Sequence, residues 1–412
     1  MTSESPQISV LVLSTFPFAR ARHGGQVRLK NLCSSYAEAG CMVVASAIYT
    51  EESYSSADYT AMDIPFPAKS IYRKFAGKDI PFVADFMSGV FAVAQDGGWP
   101  AIKRKLGRKF DVIHLEQPWL WDLGKRLNHE FCDNKAVLVY GSENIEAPLK
   151  ASIFKDYGLE FPEVIQAIES LERRASCEAD VVVAITDEEL AVLRQWGAKL
   201  ALMAGNGIES AEVDPKVADK WRRKLPEAPW LLYVASAHPP NFTALNRIFG
   251  GSLGCFPPDS RFVIAGSVSE HVYRVFSEGR WAALNHSRLH LLYQLEDEDL
   301  AAVRQLAHGF VLPIGSGGGS NLKTAEALFS GSYVVGTPTS FRGFERFRDA
   351  AKVLIADNPY AFHDSIRDVL QRPRFDALAD LDEPNMRSEL LWSSRLKHMV
   401  ETVIHTAKVE RS

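Results

Sequence analysis

Cysteine is scarce and scattered. The five residues, at 33, 41, 132, 177 and 255, are odd in number and form no C-x-x-C pair, so no disulfide framework or zinc ribbon follows. The 11 His show neither H-x-x-x-H nor His/Cys ligand spacing, which removes the usual zinc patterns. Positive charge is not in excess: 46 Lys+Arg against 51 Asp+Glu leave a net charge of -5, unlike a strongly basic nucleic-acid binder. No apolar run reaches the ~18 residues of a membrane span. The opening MTSESPQISVLVLS has no charged segment before its apolar run and no small-residue cleavage site, so the run reads as a first strand rather than a signal peptide. With thiols kept reduced, the simplest address is the cytoplasm. Gly 27 and Pro 21 are ordinary, which excludes collagen-like and low-complexity chains.

What remains is a globular composition, 46% apolar and 24% charged, over 412 residues. That length predicts two domains, or three. Short apolar runs alternate with longer helical patterns. Ile8–Ser14, Met42–Ile48, Asp111–Leu115, Ala136–Tyr140 and Asp180–Ile185 read as strands, and Val27–Ala39 as a helix stopped by Gly40. The unbroken run from Val181 to Ile185 suits a parallel strand buried on both faces. Thr186 and Glu189 predict a capping box and a helix start. Glu209–Pro229, charged and flanked by Pro, reads as the connection between domains. A second strand set follows: Trp230–Ala235, Arg261–Gly266, Leu289–Leu292, Phe310–Ile314 and Tyr333–Thr337, with helices such as Asp297–Ala307 and Leu322–Ser330 between. Two successive blocks of this kind predict two α/β domains with parallel sheets, ligands at the carboxyl ends of the strands and a site in the cleft between them.

The segment from Pro313 to Glu326, PIGSGGGSNLKTAE, is a strand end, a glycine loop and a helix start. Gly315, Gly317, Gly318 and Gly319 leave the backbone N–H groups bare, and with the free N–H groups of the helix start they can surround an anion. Lys323 adds positive charge, and Glu326, three residues on, suits a pair of ribose hydroxyls. Phosphate at the loop and sugar hydroxyls at the carboxylate describe a nucleotide or nucleotide-sugar site; a loose glycine turn with a solvated Lys and Glu is the plain alternative. Leu322 stands where a P-loop needs Gly, and Ser320 breaks the third position of a G-x-G-x-x-G fingerprint.

PIGSGGGSNLKTAEALFSGSYVVGTP resembles the donor-binding segment of GT-B glycosyltransferases of the retaining "group 1" class, family 4. FPFARARHGGQVR, DVIHLEQPW, VLVYGSENIEAP, ESLERRASCEADVVVAIT followed by GNGI, YVASAHPPNFTALNRIF and LHLLYQLEDEDLAAV resemble its other segments in their expected order. The resemblance implies two Rossmann-like domains: residues 1-210 for the acceptor, 211-387 for the nucleotide-sugar donor, and 388-412 with a helix around Ser388–Ala407 that crosses back. It implies sugar transfer from a nucleotide diphosphate sugar to an acceptor hydroxyl with retention, in polysaccharide, glycolipid or glycoconjugate assembly, with no metal or other cofactor required. Many acceptors of the family are lipid-linked.

Carried over by position, Glu326 matches the second Glu of the family's Glu-x7-Glu, the ribose ligand. The first Glu falls at Gly318, but Gly318, Gly319, Ser320, Asn321, Leu322 and Lys323 fit the subgroup with Gly-Gly-[Ser/Thr]-x-Leu-Lys, where amides and Lys323 hold the diphosphate; Thr324 follows them in the helix. Gly24 and Gly25 match the first loop, which approaches the diphosphate from the other domain. Ser236, His238 and Asn241 stand where the family has Arg and Lys. Glu143 takes the place of a family His, and two readings stay open: a carboxylate polarising the attacking hydroxyl, or a hydrogen-bond acceptor at a loop start. His114 and Glu116 are further cleft candidates, with a structural role as the alternative for His114. Asp297-x-Asp299 reads as helix capping rather than a metal motif. Lys103, Arg104, Lys105, Arg108 and Lys109 after Ile80–Ala94 form either a patch for an anionic membrane surface, hence peripheral contact with the inner face, or a solvated helix face. Two rival functions remain: a nucleotide-sugar epimerase or hydrolase of the same fold, and a non-catalytic nucleotide-sugar-binding partner protein.

Overall fold

A computed structural model of the chain describes residues 7–210, 212–316, 318–377, 380 and 382–411. Gly317 of the glycine loop therefore lies outside the described residues. Among them the chain divides into two compact units, 1–206 with 395–412, and 207–394.

The first unit is built on a seven-stranded sheet. Its strands are β1 (Ser9–Ser14), β2 (Met42–Thr50), β3 (Ile64–Phe66), β4 (Val112–Glu116), β5 (Val137–Ser142), β6 (Val181–Ala184) and β7 (Ala201–Met203). They lie in the order β3-β2-β1-β4-β5-β6-β7, and every neighbouring pair is parallel. Ser9 to Ser14 are all buried, as a strand with helices on both faces requires. The second unit carries β8 (Trp230–Val234), β9 (Arg261–Ala265), β10 (Leu289–Tyr293), β11 (Gly309–Leu312), β12 (Tyr333–Gly336) and β13 (Val353–Ile355). Their order is β10-β9-β8-β11-β12-β13, again parallel throughout. Leu231 and Tyr233 point into one apolar cluster and Trp230 and Leu232 into another, so both faces of this sheet are covered.

In both sheets the chain runs outward from β1 or β8 in one direction, then returns to the other side of that strand. Each sheet thus has a switch point, β1/β4 and β8/β11, and loops leaving the two strands there diverge and open a crevice at their carboxyl ends. This is the fold class the sequence predicts: α/β, GT-B, two Rossmann-like parallel-sheet domains.

Three local expectations change. Glu209–Pro229 is not only a connection: Pro215–Arg222 is a helix, capped by the Asp214 carboxylate on the Lys216 N–H at 2.8 Å. Its Trp221 is buried and donates to Asp299 at 2.7 Å, which gives Asp299 a structural partner within the second unit. The helix after β1, here α1 (Gly24–Glu38), begins at Gly24, so Gly24 and Gly25 are its first turn rather than a loop before it. The helix expected around Ser388–Ala407 is two, Glu383–Leu390 and Trp392–Arg411, separated by the extended Leu391. Residues 395–411 of the second pack within the first unit, where Arg411 pairs with Asp111 at 2.5 Å. The Thr186 hydroxyl accepts from the Glu189 N–H at 3.2 Å, as the expected box requires.

Candidate functional site

In the second unit the glycine loop leaves β11 at the switch point and leads into a helix, Leu322–Phe329. The helix Pro239–Phe249 follows β8 on the other side of that point. Two candidates meet here: Lys323 Nζ donates to Asn241 Oδ1 at 2.9 Å. Asn241 is itself fixed, its amide donating to the Ser236 carbonyl at 3.0 Å and its own carbonyl accepting from Tyr233 OH at 2.9 Å. Burial lowers the Lys323 pKa, with Glu326 opposing, so the ammonium is held in a place that welcomes an anion. Ser236 and His238 are exposed at the start of the second helix.

Glu326 lies one turn beyond Lys323. Its Oε2 accepts from Arg304 at 2.6 Å, and the carboxylate keeps about a third of its surface. Burial raises its pKa, with Arg304 and Lys323 pulling the other way. Arg304 was not singled out in the sequence; it comes from the helix Asp297–Leu306, 22 residues before Glu326.

The glycine loop has a second unforeseen partner. The Arg342 guanidinium donates to the Gly319 carbonyl and, at 2.8 Å, to the Gly318 carbonyl. In a trans peptide plane the C=O and N–H point to opposite sides. With both carbonyls drawn to Arg342, the N–H groups of Gly319 and Ser320 are turned away from it, as an anion-binding loop requires. Gly319 sits at φ 60, the left-handed region open to glycine at little steric cost. Ser320 Oγ is buried without a hydrogen-bond partner.

Asn321 and Thr324 turn their side chains to the protein itself. The Asn321 amide donates to the carbonyls of Thr339 and Ser340 at 2.8 and 3.1 Å, and the buried Thr324 hydroxyl donates to Ser340 at 2.5 Å. Their side chains tie the helix start to the turn Pro338–Phe341. Leu322 is half-buried as the first residue of the helix.

In the first unit the switch point is closed by side chains. Thr15, just after β1, donates to Gln117 Oε1 at 3.1 Å, and Gln117 Nε2 donates to Glu143 Oε2 at 3.3 Å. Gln117 is at φ 71, a conformation that is strained for a side chain of its size and gathers at functional sites. Glu143 is 9% exposed, and its Oε1 has no partner. Burial and the nearby Glu116 charge push its pKa up to about 8, against the pull of Arg28. The carboxyl therefore holds a proton near neutrality and can donate or accept. Gly25 lies directly against it: a Cβ there would stand 3.1 Å from Glu143 Oε2 and 2.8 Å from the Phe16 ring. Gly24 precedes it as the first residue of α1.

His114 and Glu116 likewise turn to the protein itself. His114 has no exposed surface, and both ring nitrogens are engaged, Nδ1 with Tyr36 OH at 2.9 Å and Nε2 with Glu116 at 3.2 Å. Glu116, equally buried, pairs with Arg28 at 3.2 Å. Burial would raise the Glu116 pKa, but Arg28 and the His114 contact hold it at about 2. Arg28 also donates to the Ala204 carbonyl at 2.8 Å. This network anchors α1 to the sheet and leaves His114 no atom for substrate.

Beside Gln117 a cleft of about 290 Å³ opens at the carboxyl ends of β1, β2 and β4. The basic cluster lies elsewhere, in the last turn of the helix Trp99–Leu106 and just after it; Lys105 donates to the Asp63 carbonyl at 2.7 Å and the others are exposed. No helix of the described residues is long and apolar enough to cross a membrane.

The two parallel sheets, each with a switch point beside its first strand, have the GT-B fold. No protein-family description matches the sequence, and no curated protein matches it. Solved structures do. A sucrose-phosphate synthase from Thermosynechococcus elongatus superposes with a TM-score of 0.71 at 15% identity, covering 98% of this chain and all of that one. The Anabaena protein HepE, in complex with UDP and glucose, gives 0.63 at 14% identity over 96% and 99%. WaaG, a glycosyltransferase involved in lipopolysaccharide biosynthesis, gives 0.57 at 14% over 98% and 99%. At such identities the likeness is one of fold.

Proposed function

We propose that this chain is a glycosyltransferase that takes a sugar from a nucleotide diphosphate sugar and passes it, with retention, to an acceptor hydroxyl in polysaccharide, glycolipid or glycoconjugate assembly. The observation that carries the reading is the group at the β8/β11 switch point: the glycine loop turned by Arg342, with Lys323 seated on Asn241 and Glu326 one turn further on.

The chemistry follows from the leaving group. As the glycosidic bond breaks, negative charge builds on the diphosphate. The N–H groups of Gly319 and Ser320, the helix start and Lys323 supply fixed countercharge at that point, and such preorganised donors favour the transition state over the ground state. With that countercharge in the chain itself, the reading calls for no metal. Glu326 receives the ribose hydroxyls while Arg304 holds its other oxygen. Glu143, buried, unpaired at Oε1 and linked to the cleft through Gln117, is a group of the first unit that can take or give a proton. Solved structures of like fold include HepE with UDP and glucose, which supports a nucleotide-sugar donor here.

A thermal-shift panel of UDP, GDP, dTDP, ADP and CMP, with Glu326→Ala as control, tests this. A ligand at ~100 times its dissociation constant adds about 2.7 kcal/mol. One diphosphate that stabilises the wild type and not the variant is the expected result. Absence of any shift removes the donor site. Consumption of donor without acceptor would replace transfer by epimerisation or hydrolysis, and tight binding with no turnover would leave a binding protein.

A further inference from the structure

Resting on the transferase reading, we infer that the acceptor group entering the first unit's cleft is an uncharged, hydroxyl-rich sugar ring, and that Asp85 sets this choice. The cleft is lined by hydroxyls and an amide, among them Thr15, Thr50, Ser53, Ser88 and Gln117, and by aromatic rings including Phe16 and Phe82. Among the described residues that line it, Asp85 is the one that carries a charge, and none is Lys, Arg or His. The cation beside Asp85 is already committed. Lys150, its side chain 9% exposed, donates to Asp85 Oδ2 and to the Phe82 carbonyl, both at 2.6 Å. That pair fixes Asp85 in place while leaving 29% of its side chain open.

A fixed carboxylate accepts from sugar hydroxyls with charge-assisted strength. The rings offer an apolar floor to the C–H face of a pyranose. Phe82, held at φ 62 and tilted against Tyr157 with ring centroids 4.7 Å apart, keeps one such ring at the rim. A phosphate or carboxylate in the same cleft would face Asp85, whose partner Lys150 is already engaged, and like charges in a partly buried site repel. At about 290 Å³ the volume is at the small end of ligand pockets, ~300–1,000 Å³, and suits one ring rather than a nucleotide.

The test is saturation-transfer NMR on the full chain without nucleotide. The probes are the methyl glycosides of glucose, galactose and mannose and the corresponding hexose 6-phosphates. At least one methyl glycoside binds, its phosphate binds at least about tenfold more weakly, and Asp85→Asn weakens the neutral sugar by about tenfold. Ser53→Arg, at an exposed position of the lining, keeps the Asp85–Lys150 pair and narrows or reverses the preference. Hexose phosphates binding the wild type as well as or better than glycosides, no glycoside binding at all, or a folded Asp85→Asn with undiminished affinity would each overturn the inference. The nucleotide panel is read separately: nucleotide binding with a phosphate-preferring cleft defeats this inference alone, and sugar binding without any nucleotide shift defeats the transferase reading alone.

Discussion

Replacing Glu143 by Gln should make the protein more stable at alkaline pH and leave it nearly unchanged in mild acid. The folded chain raises this carboxyl from 4.5 to about 8, chiefly by burial and then by the Glu116 charge. Below about pH 4.5 both folded and unfolded chains hold the proton, so the group adds no pH dependence there. Between that point and about pH 8 the unfolded chain releases a proton that the folded chain keeps, so stability falls as pH rises, and the loss levels off above the folded pKa. At ~1.4 kcal/mol per pH unit, the full window amounts to about 5 kcal/mol. Gln retains an oxygen to accept from Gln117 and has nothing to ionise. Urea unfolding followed by tryptophan fluorescence, at steps from about pH 5 to pH 9, measures the difference directly. The variant's advantage should grow from near zero to several kcal/mol. Parallel stability curves for the two proteins would mean that Glu143 is ionised in the folded chain, the opposite of the expected outcome. The transfer rate adds a second readout: a rate left intact in the variant ends the catalytic role of Glu143 while leaving its titration untouched.

Arg342→Met removes the guanidinium that turns the glycine loop; nucleotide affinity should drop by about tenfold with melting temperature little changed, and unaltered affinity would contradict the loop geometry. Arg28→Met leaves Glu116 buried without its cation, a loss of about 3–5 kcal/mol by urea unfolding, since an unpaired buried charge is costly. In the wild type, stability contributed by Glu116 is present above about pH 4.5 and is lost as pH falls toward its folded value of about 2. Gly25→Ala places a methyl 2.8 Å from Phe16 and 3.1 Å from Glu143; the expected outcome is a loss of about 1–3 kcal/mol and a Glu143 titration displaced from that of the wild type, and a neutral substitution would mean that this contact is loose.

The fold was legible because buried parallel strands write themselves as unbroken apolar runs, as at Val181–Ala184 and Trp230–Val234. Lys323 and Glu326 could be singled out because glycine loop, cation and carboxylate lie within one short segment. Arg342 and Arg304 could not: each reaches its partner in the segment from more than 20 residues away in sequence, and nothing in local periodicity distinguishes them from surface arginines. His114 and Glu116 misled for the opposite reason. A His and a Glu at a strand end resemble cleft residues, but period-two alternation does not reveal that Arg28 and Tyr36, on α1, occupy both. Asn321 and Thr324 were assigned to the ligand by motif position, whereas their side chains answer carbonyls of a turn that follows 14 residues or more later. The helix Pro215–Arg222 was hidden by its flanking Pro and charges, although Trp221 is the apolar residue that docks it.

A nucleoside diphosphate bound at the β8/β11 switch point would be detected by isothermal titration calorimetry. The wild type, Glu326→Ala and Lys323→Met would each be titrated with a diphosphate and with the matching nucleoside. One diphosphate should bind the wild type well above its nucleoside, Lys323→Met should lose most of that increment, and Glu326→Ala should weaken both. No heat with any diphosphate, or equal affinity in all three proteins, would contradict the proposed donor site.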